Sequence, residues 1–370
     1  MRKRLFARVA IAIASPIVFL ALLELGVATW GFDYPPADSP LVFVDPILRV
    51  EGGLLHEASA HQIWRPRPGA KIPWGSGEHV NDAGFRGPLL GLGKTPGVLR
   101  IATMGDSSTF GHSVAWEETY SAQLVALLAE QGVKAEVIDA GVVGFSIRQG
   151  LERYREQVSP FRPDIVIAAY GAIIDQVPAS GGVDDDELIR RGVIDHNAFV
   201  MQIRRLRQNL RSLHFLAWCV DGLRGGRARE EREWHDREVR QSMIAKASGR
   251  PDWPGVRRVG LPEFEQDILL LRRDVERDGG RLILMSMPHR GTVEIDTPVV
   301  LEYHKTIIAV GQREGIAAID GRAALAQAIR EEHRIPELMA DNFHPSQVGH
   351  GYLARALCEE ILRGRRASGQ

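Results

Sequence analysis

The sequence predicts an α/β domain built on a parallel sheet covered by helices on both faces, and two observations carry that expectation. Of 370 residues, 44% are apolar and the formal net charge is −1, so the chain can bury a large core. That balance excludes intrinsic disorder, and it leaves no basic field for nucleic acid. Beyond residue 98, short apolar runs alternate with helix-length amphipathic stretches, the pattern of strand, crossover helix and parallel strand. Strands are expected at 100–104 (RIATM), 135–139 (AEVID), 164–169 (DIVIAA), 281–287 (RLILMSM) and 316–320. Helices are expected at 119–131, 147–158, 261–278, 299–314 and 346–363. In such a sheet a ligand sits at the carboxyl ends of the strands.

The chain divides into three parts on this reading. Residues 1–31 form a basic flank (Arg2, Lys3, Arg4, Arg8) and an uncharged run at 9–23, interrupted by Glu24 and resuming to Trp30. About 20 apolar residues span a bilayer, so an uncleaved transmembrane anchor is expected, with Trp30 as an interface residue and the remainder outside the cytoplasm. Secretion after signal cleavage behind Ala28 is the alternative. Residues 32–98 are rich in Pro and Gly and read as a lead-in that wraps the surface and packs against the domain edge. Residues 99–370 form the domain, with an insertion at about 177–260. Its window 201–260 holds 13 Arg and one Lys against 7 acids, and residues 197–220 read as one long helix, apolar on one face and Arg-rich on the other. A solvated helix packed on the sheet, an amphipathic helix on an anionic membrane and a site for an acidic polymer are its three readings.

Chemistry concentrates at two places. Gly105-Asp106-Ser107-Ser108-Thr109-Phe110-Gly111 follows the first strand of the domain, where a strand-to-helix turn projects the Ser107 hydroxyl at the sheet edge. A serine needs a base to react, and the base needs a partner that fixes its tautomer. Asp341-Asn342-Phe343-His344-Pro345 supplies both, one turn apart, just before the last helix. Asp106 is expected to order the turn rather than act as an acid, and His350 to lie on a helix face. Asp184-Asp185-Asp186 reads as a solvated loop, and Cys219 and Cys358 as buried apolar residues with one disulfide open to them. Two cysteines alone make no structural zinc site.

GDSSTFG and DNFHP resemble the first and last blocks of the SGNH, or GDSL-type, hydrolase family, and the resemblance runs from about residue 100 to 363. It implies a flavodoxin-like three-layer α/β/α sandwich, with Ser107 as nucleophile, His344 as general base and then acid, and Asp341 as the carboxylate that orients it. The segment 139–146 (DAGVVGFS) resembles the second block, which makes Gly144 and Ser107 the backbone oxyanion donors and Gly141 a turn former. NDAGFRG at 81–87 resembles the lead-in of membrane-tethered bacterial members. One block departs from the family: where Gly-x-Asn-Asp is usual, the chain reads Gly171-Ala172-Ile173-Ile174-Asp175-Gln176, and Ile173 stands at the place of the oxyanion Asn. Gln176, or a group from the insertion, is expected to substitute, and Asp175 and His289 are further candidates for lining the site.

The implied activity is an extracytoplasmic serine esterase, acting on a small ester or an acylated carbohydrate such as an O-acetylated envelope glycan. The family chemistry implies no metal and no organic cofactor. An O-acyltransferase using the same triad, or a catalytically silent glycan-binding or scaffold domain, are the alternatives.

Overall fold

The computed structural model describes residues 2–32, 49–50, 53–74, 77–171, 173–176, 184–190, 210–223, 253–331 and 334–367. Helix α1 (Arg2–Trp30) is followed by a hairpin, β1 (His56–Ser59) and β2 (Ile63–Pro66). The alternation then runs β3 (Leu99–Gly105), α2 (Ser107–Phe110), α3 (Tyr120–Glu130), β4 (Ala135–Asp139), α4 (Ile147–Arg153) and β5 (Ile165–Ala169). After α5 (Arg211–Leu223) it resumes with α6 (Leu261–Arg277), β6 (Arg281–Ser286), α7 (Val299–Glu314), β7 (Ala317–Asp320), α8 (Gly321–Arg330) and α9 (Gln347–Ala367).

The strands pair in the order β4-β3-β5-β6-β7, every pair parallel. Counted along this sheet the order is 2-1-3-4-5, which is flavodoxin-like. Its inner strands β3, β5 and β6 are buried on both faces, so successive residues serve different layers. Ala102, Met104, Val166 and Leu284 pack with Leu151 of α4, Phe264 and Leu271 of α6 and Ile307 of α7. Ile101, Ile167, Ile283 and Met285 pack on the other side with Leu124 of α3 and Leu353, Leu357 and Ile361 of α9. The chain leaves β3 toward β4 on one side and returns to β5 on the other. That reversal opens a crevice at the carboxyl end of β3, where Ser107 stands.

Four expectations need correction. The lead-in packs deeper than at the domain edge, because Leu55, Trp64, Ile72, Val80 and Phe85 enter the core; its residues 33–48 lie outside the described residues. The helix expected at 147–158 keeps α-geometry only to Arg153 and widens over Tyr154–Val158 ahead of Pro160, which cannot continue it. Of the long helix expected at 197–220, residues 197–209 lie outside the described residues, Leu210 is not helical, and α5 runs from Arg211 to Leu223. There the Glu24 carboxylate accepts the backbone N–H groups of Arg211 (3.0 Å) and Ser212 (2.7 Å) and caps α5. Residues 191–209 and 224–252 of the insertion lie outside the described residues. Finally, Asp185 is not solvated: it is buried, accepts the Ser146 hydroxyl at 2.6 Å and pairs with Arg258 at 2.8 Å.

The apolar run at 9–23 lies within α1, whose side chains before residue 14 are outside the described set. Among the described residues no helix is long and apolar enough to cross a membrane. Cys219 and Cys358 are both free thiols.

Candidate active site

β3 delivers the serine. A Cβ at Gly105 would stand 2.1 Å from Thr109 Oγ1 and 2.6 Å from the Ala169 carbonyl, so only glycine fits between α2 and β5. Asp106 caps α2, its Oδ1 accepting the Ser108 N–H at 2.9 Å, and burial pushes its pKa up. This is the ordering role expected of it. A strut fixes α2 from behind: His350 Nδ1 accepts the Tyr120 N–H at 3.2 Å, and the Tyr120 hydroxyl meets Thr109 Oγ1 at 3.1 Å.

The histidine arrives on the loop before α9. Asp341 Oδ1 accepts the backbone N–H groups of Phe343 (2.7 Å) and His344 (2.9 Å), closing a tight turn that a short polar side chain can make on its own backbone. Its other oxygen stands 2.7 Å from His344 Nδ1. With Nδ1–H given to the carboxylate, His344 Nε2 accepts the Ser107 hydroxyl at 2.8 Å. Burial works against the Asp341 charge, but the hydrogen bonds from His344 and Phe343 outweigh it and hold the carboxyl well below the usual range. The structure therefore brings Ser107, His344 and Asp341 into one hydrogen-bonded line at the carboxyl edge of the sheet.

Beyond β4, Gly144 adopts a φ of 76°, and the backbone N–H groups of Ser107 and Gly144 have no acceptor among the described residues. Gly141 donates its N–H to Asp139 Oδ1 at 3.0 Å in a local turn, and its Cβ would lie 2.4 Å from the Phe110 nitrogen, so glycine also lets the second block approach α2. Asp175 is drawn away from the triad. It accepts the N–H groups of Ile147 (2.8 Å) and Gly171 (3.0 Å), and burial lifts its pKa to about 7. Gln176 is buried, with its backbone carbonyl held by Arg257 at 3.0 Å, while the side chain of Ile173 lies outside the described residues. His289 is buried beside His304 (ring centroids 5.4 Å apart) and meets Phe343 edge-on at 6.1 Å.

The model of the GDSL-like lipase/acylhydrolase family matches residues 103–352, more than half of the chain. The chain belongs to this family. As a GDSL acylhydrolase it is an ester-hydrolysing serine hydrolase. Several solved structures resemble it. An acetylxylan esterase from Geobacillus stearothermophilus is 17% identical with a TM-score of 0.43, covering 78% of this chain and 96% of that one. A lipase/acylhydrolase from Enterococcus faecalis is 18% identical with a TM-score of 0.43, covering 72% and 96%. An alpha/beta hydrolase from the metagenome of Lake Arreo, Spain, is 14% identical with a TM-score of 0.43, covering 70% and 93%. None of the curated proteins compared matches the chain.

Three residues of this GDSL site escape sequence reasoning. Arg258, from the end of the insertion, donates to the Gly144 carbonyl at 2.8 Å and is itself paired with Asp185. It thereby orients the peptide next to the Gly144 N–H. Arg86, from the lead-in, is 1% exposed and donates to the carbonyls of Phe110 (2.6 Å), Gly111 (2.8 Å) and Val114 (2.8 Å). His112 stacks on His344 with ring centroids 4.1 Å apart. Arg86 lies inside NDAGFRG, which was a usable signal; Arg258 and His112 had none. His112, Asp341 and His344 also bring three ligand atoms within 4.8 Å of one another. An ion there would displace the proton shared by His344 and Asp341, so the group fits the hydrogen-bonded line to Ser107 better than a metal.

Proposed function

We propose that the protein is a membrane-tethered, extracytoplasmic serine esterase that removes small acyl groups such as acetate from envelope carbohydrate. The observation that carries the catalytic part is the line from Ser107 Oγ through His344 to Asp341, at 2.8 and 2.7 Å. In this reading Ser107 attacks the ester carbonyl while His344 Nε2 takes its proton, and the Ser107 and Gly144 N–H groups receive the developing oxyanion. His344 then protonates the departing alcohol oxygen. A water, deprotonated by the same nitrogen, attacks the acyl-serine and releases the acid.

The tether is supported by the basic flank ahead of residues 9–23, and by Val18, Phe19, Leu22, Leu25 and Trp30, which α1 leaves exposed. Reaction with a fluorophosphonate tests the chemistry. Stoichiometric labelling that disappears in Ser107→Ala and weakens strongly in His344→Ala is expected, together with acetate release from acetylated glycans; a folded protein that takes no label is a silent domain. Excess sugar acceptor yielding acylated product in place of free acid would make it a transferase. For the tether, resistance to carbonate extraction from membranes is expected, and release into the wash overturns it.

A further inference from the structure

His112 has no part in the acyl chemistry, yet its position is built with care. Arg86 grips three carbonyls of the Phe110–Val114 turn and pairs with Glu78 at 2.8 Å. Within that turn Ser113 takes a φ of 70°, in the left-handed region that non-glycine residues avoid, and its hydroxyl meets His112 Nδ1 at 2.7 Å. Trp74, half-buried and supplied by the lead-in, tilts over the His112 ring with centroids 4.2 Å apart. The imidazole itself lies almost parallel to that of His344, 19° between their planes. Burial, and then the charge on His344, hold the His112 pKa down at about 4, so the ring is neutral at neutral pH. Nδ1 is taken by Ser113, which leaves Nε2 as a neutral donor or acceptor.

The mechanism says what lies beside it. His344 Nε2 must hand its proton to the departing oxygen, so the alcohol half of the ester sits against His344. A His112 ring nitrogen lies within 4.8 Å of one on His344, so that alcohol also reaches His112. A neutral imidazole next to an indole face is the combination that suits a sugar, one group for a hydroxyl and one for the apolar face of the ring. We propose that His112 and Trp74 form the subsite for the alcohol half of the substrate, with His112 Nε2 hydrogen-bonding a hydroxyl of a carbohydrate whose ring lies against Trp74. This rests on the carbohydrate-ester reading above and assigns residues to it.

The test uses the full chain and two substrates: 4-nitrophenyl acetate, whose alcohol has no further hydroxyl, and a mono-O-acetylated methyl glucoside. His112→Phe keeps a ring on His344 but cannot hydrogen-bond. It is expected to lower the ratio of kcat/KM for the sugar ester to that for the aryl ester at least about tenfold, chiefly through KM. His112→Gln is expected to recover most of that ratio. Fluorophosphonate labelling confirms that each variant folds, and if His112→Phe does not label, Trp74→Leu carries the same comparison. An unchanged ratio overturns the subsite, and so does an equal fall on both substrates, which would mean that His112 acts only through His344. A wild-type chain that hydrolyses the aryl ester and no acetylated sugar overturns the carbohydrate reading instead, and the subsite with it.

Discussion

In the proposed mechanism the Asp341 side chain serves both the fold and the reaction. One oxygen closes the turn that presents His344, and the other fixes the His344 tautomer. Because the side chain is 45% exposed, water can enter when it is removed. Asp341→Asn, which presents an amide to Nδ1, should therefore damage kcat more than Asp341→Ala, with a loss of up to about 10⁴-fold for Asn. Single-turnover acylation rates of the two variants check the order, and a larger loss in the alanine variant would contradict it. Arg258 makes a second case. Removing it frees the Gly144 carbonyl and strands buried Asp185, so Arg258→Met should cost about 10–100-fold in kcat, a fraction of the about 10²–10³ expected for losing a whole oxyanion donor. Steady-state kinetics on a small ester decide this one, and an unchanged kcat would show that the Gly144 peptide is held without it.

At the scale of elements, the strands and helices of the sheet were readable because each carries its own signal. β4 (Ala135–Asp139) and α7 (Val299–Glu314) fall on the expected residues, since the first is a short apolar run and the second a periodic stretch ending at Gly315, which takes a φ of 67°. The GDSSTFG and DNFHP blocks were readable for the same reason, because nucleophile turn and histidine turn are each local. What stayed hidden depends on distant partners. Periodicity cannot place Trp64 or Phe85 in the core, nor show that Glu24 caps α5 across 187 positions of sequence. Nor could residue type alone say that Asp175 would be spent on the Ile147 and Gly171 amides. The lead-in clamp gives this scale its prediction. Arg86→Met orphans three carbonyls and leaves Glu78 with only the Trp116 N–H, so it should lower stability by about 3–5 kcal/mol. Lysine cannot reproduce the fork and should not rescue it. Urea unfolding measures both variants, and a loss below about 1 kcal/mol would mean that the turn holds without the clamp.

Across the whole molecule the near-zero net charge conceals an uneven distribution of buried titratable groups. Burial holds five imidazoles neutral: His56, His289 and His350 with pKa values down at about 3, and His112 and His304 at about 4. Each would titrate near 6.5 in an unfolded chain, so below that pH unfolding takes up protons that the folded state refuses. The stability these residues contribute is complete above about pH 6.5 and is lost as pH falls toward 4 and then 3. Five carboxyls work in the opposite direction, Asp106 and Asp184 among them, both raised chiefly by burial. Burial raises Asp139 and Asp175 to about 7 and Asp267 to about 6, so the folded chain holds protons there that an unfolded chain would release above about pH 4. Their stabilisation grows as pH falls from 7, and it offsets part of the histidine loss. The five histidines, lowered from 6.5 to about 3 or 4, outweigh the carboxyls on acidification, so the midpoint of thermal unfolding should drop between pH 7 and pH 4.5. Scanning calorimetry in a fixed detergent and salt tests the sign, since a midpoint that holds or rises would show that the buried carboxyls dominate.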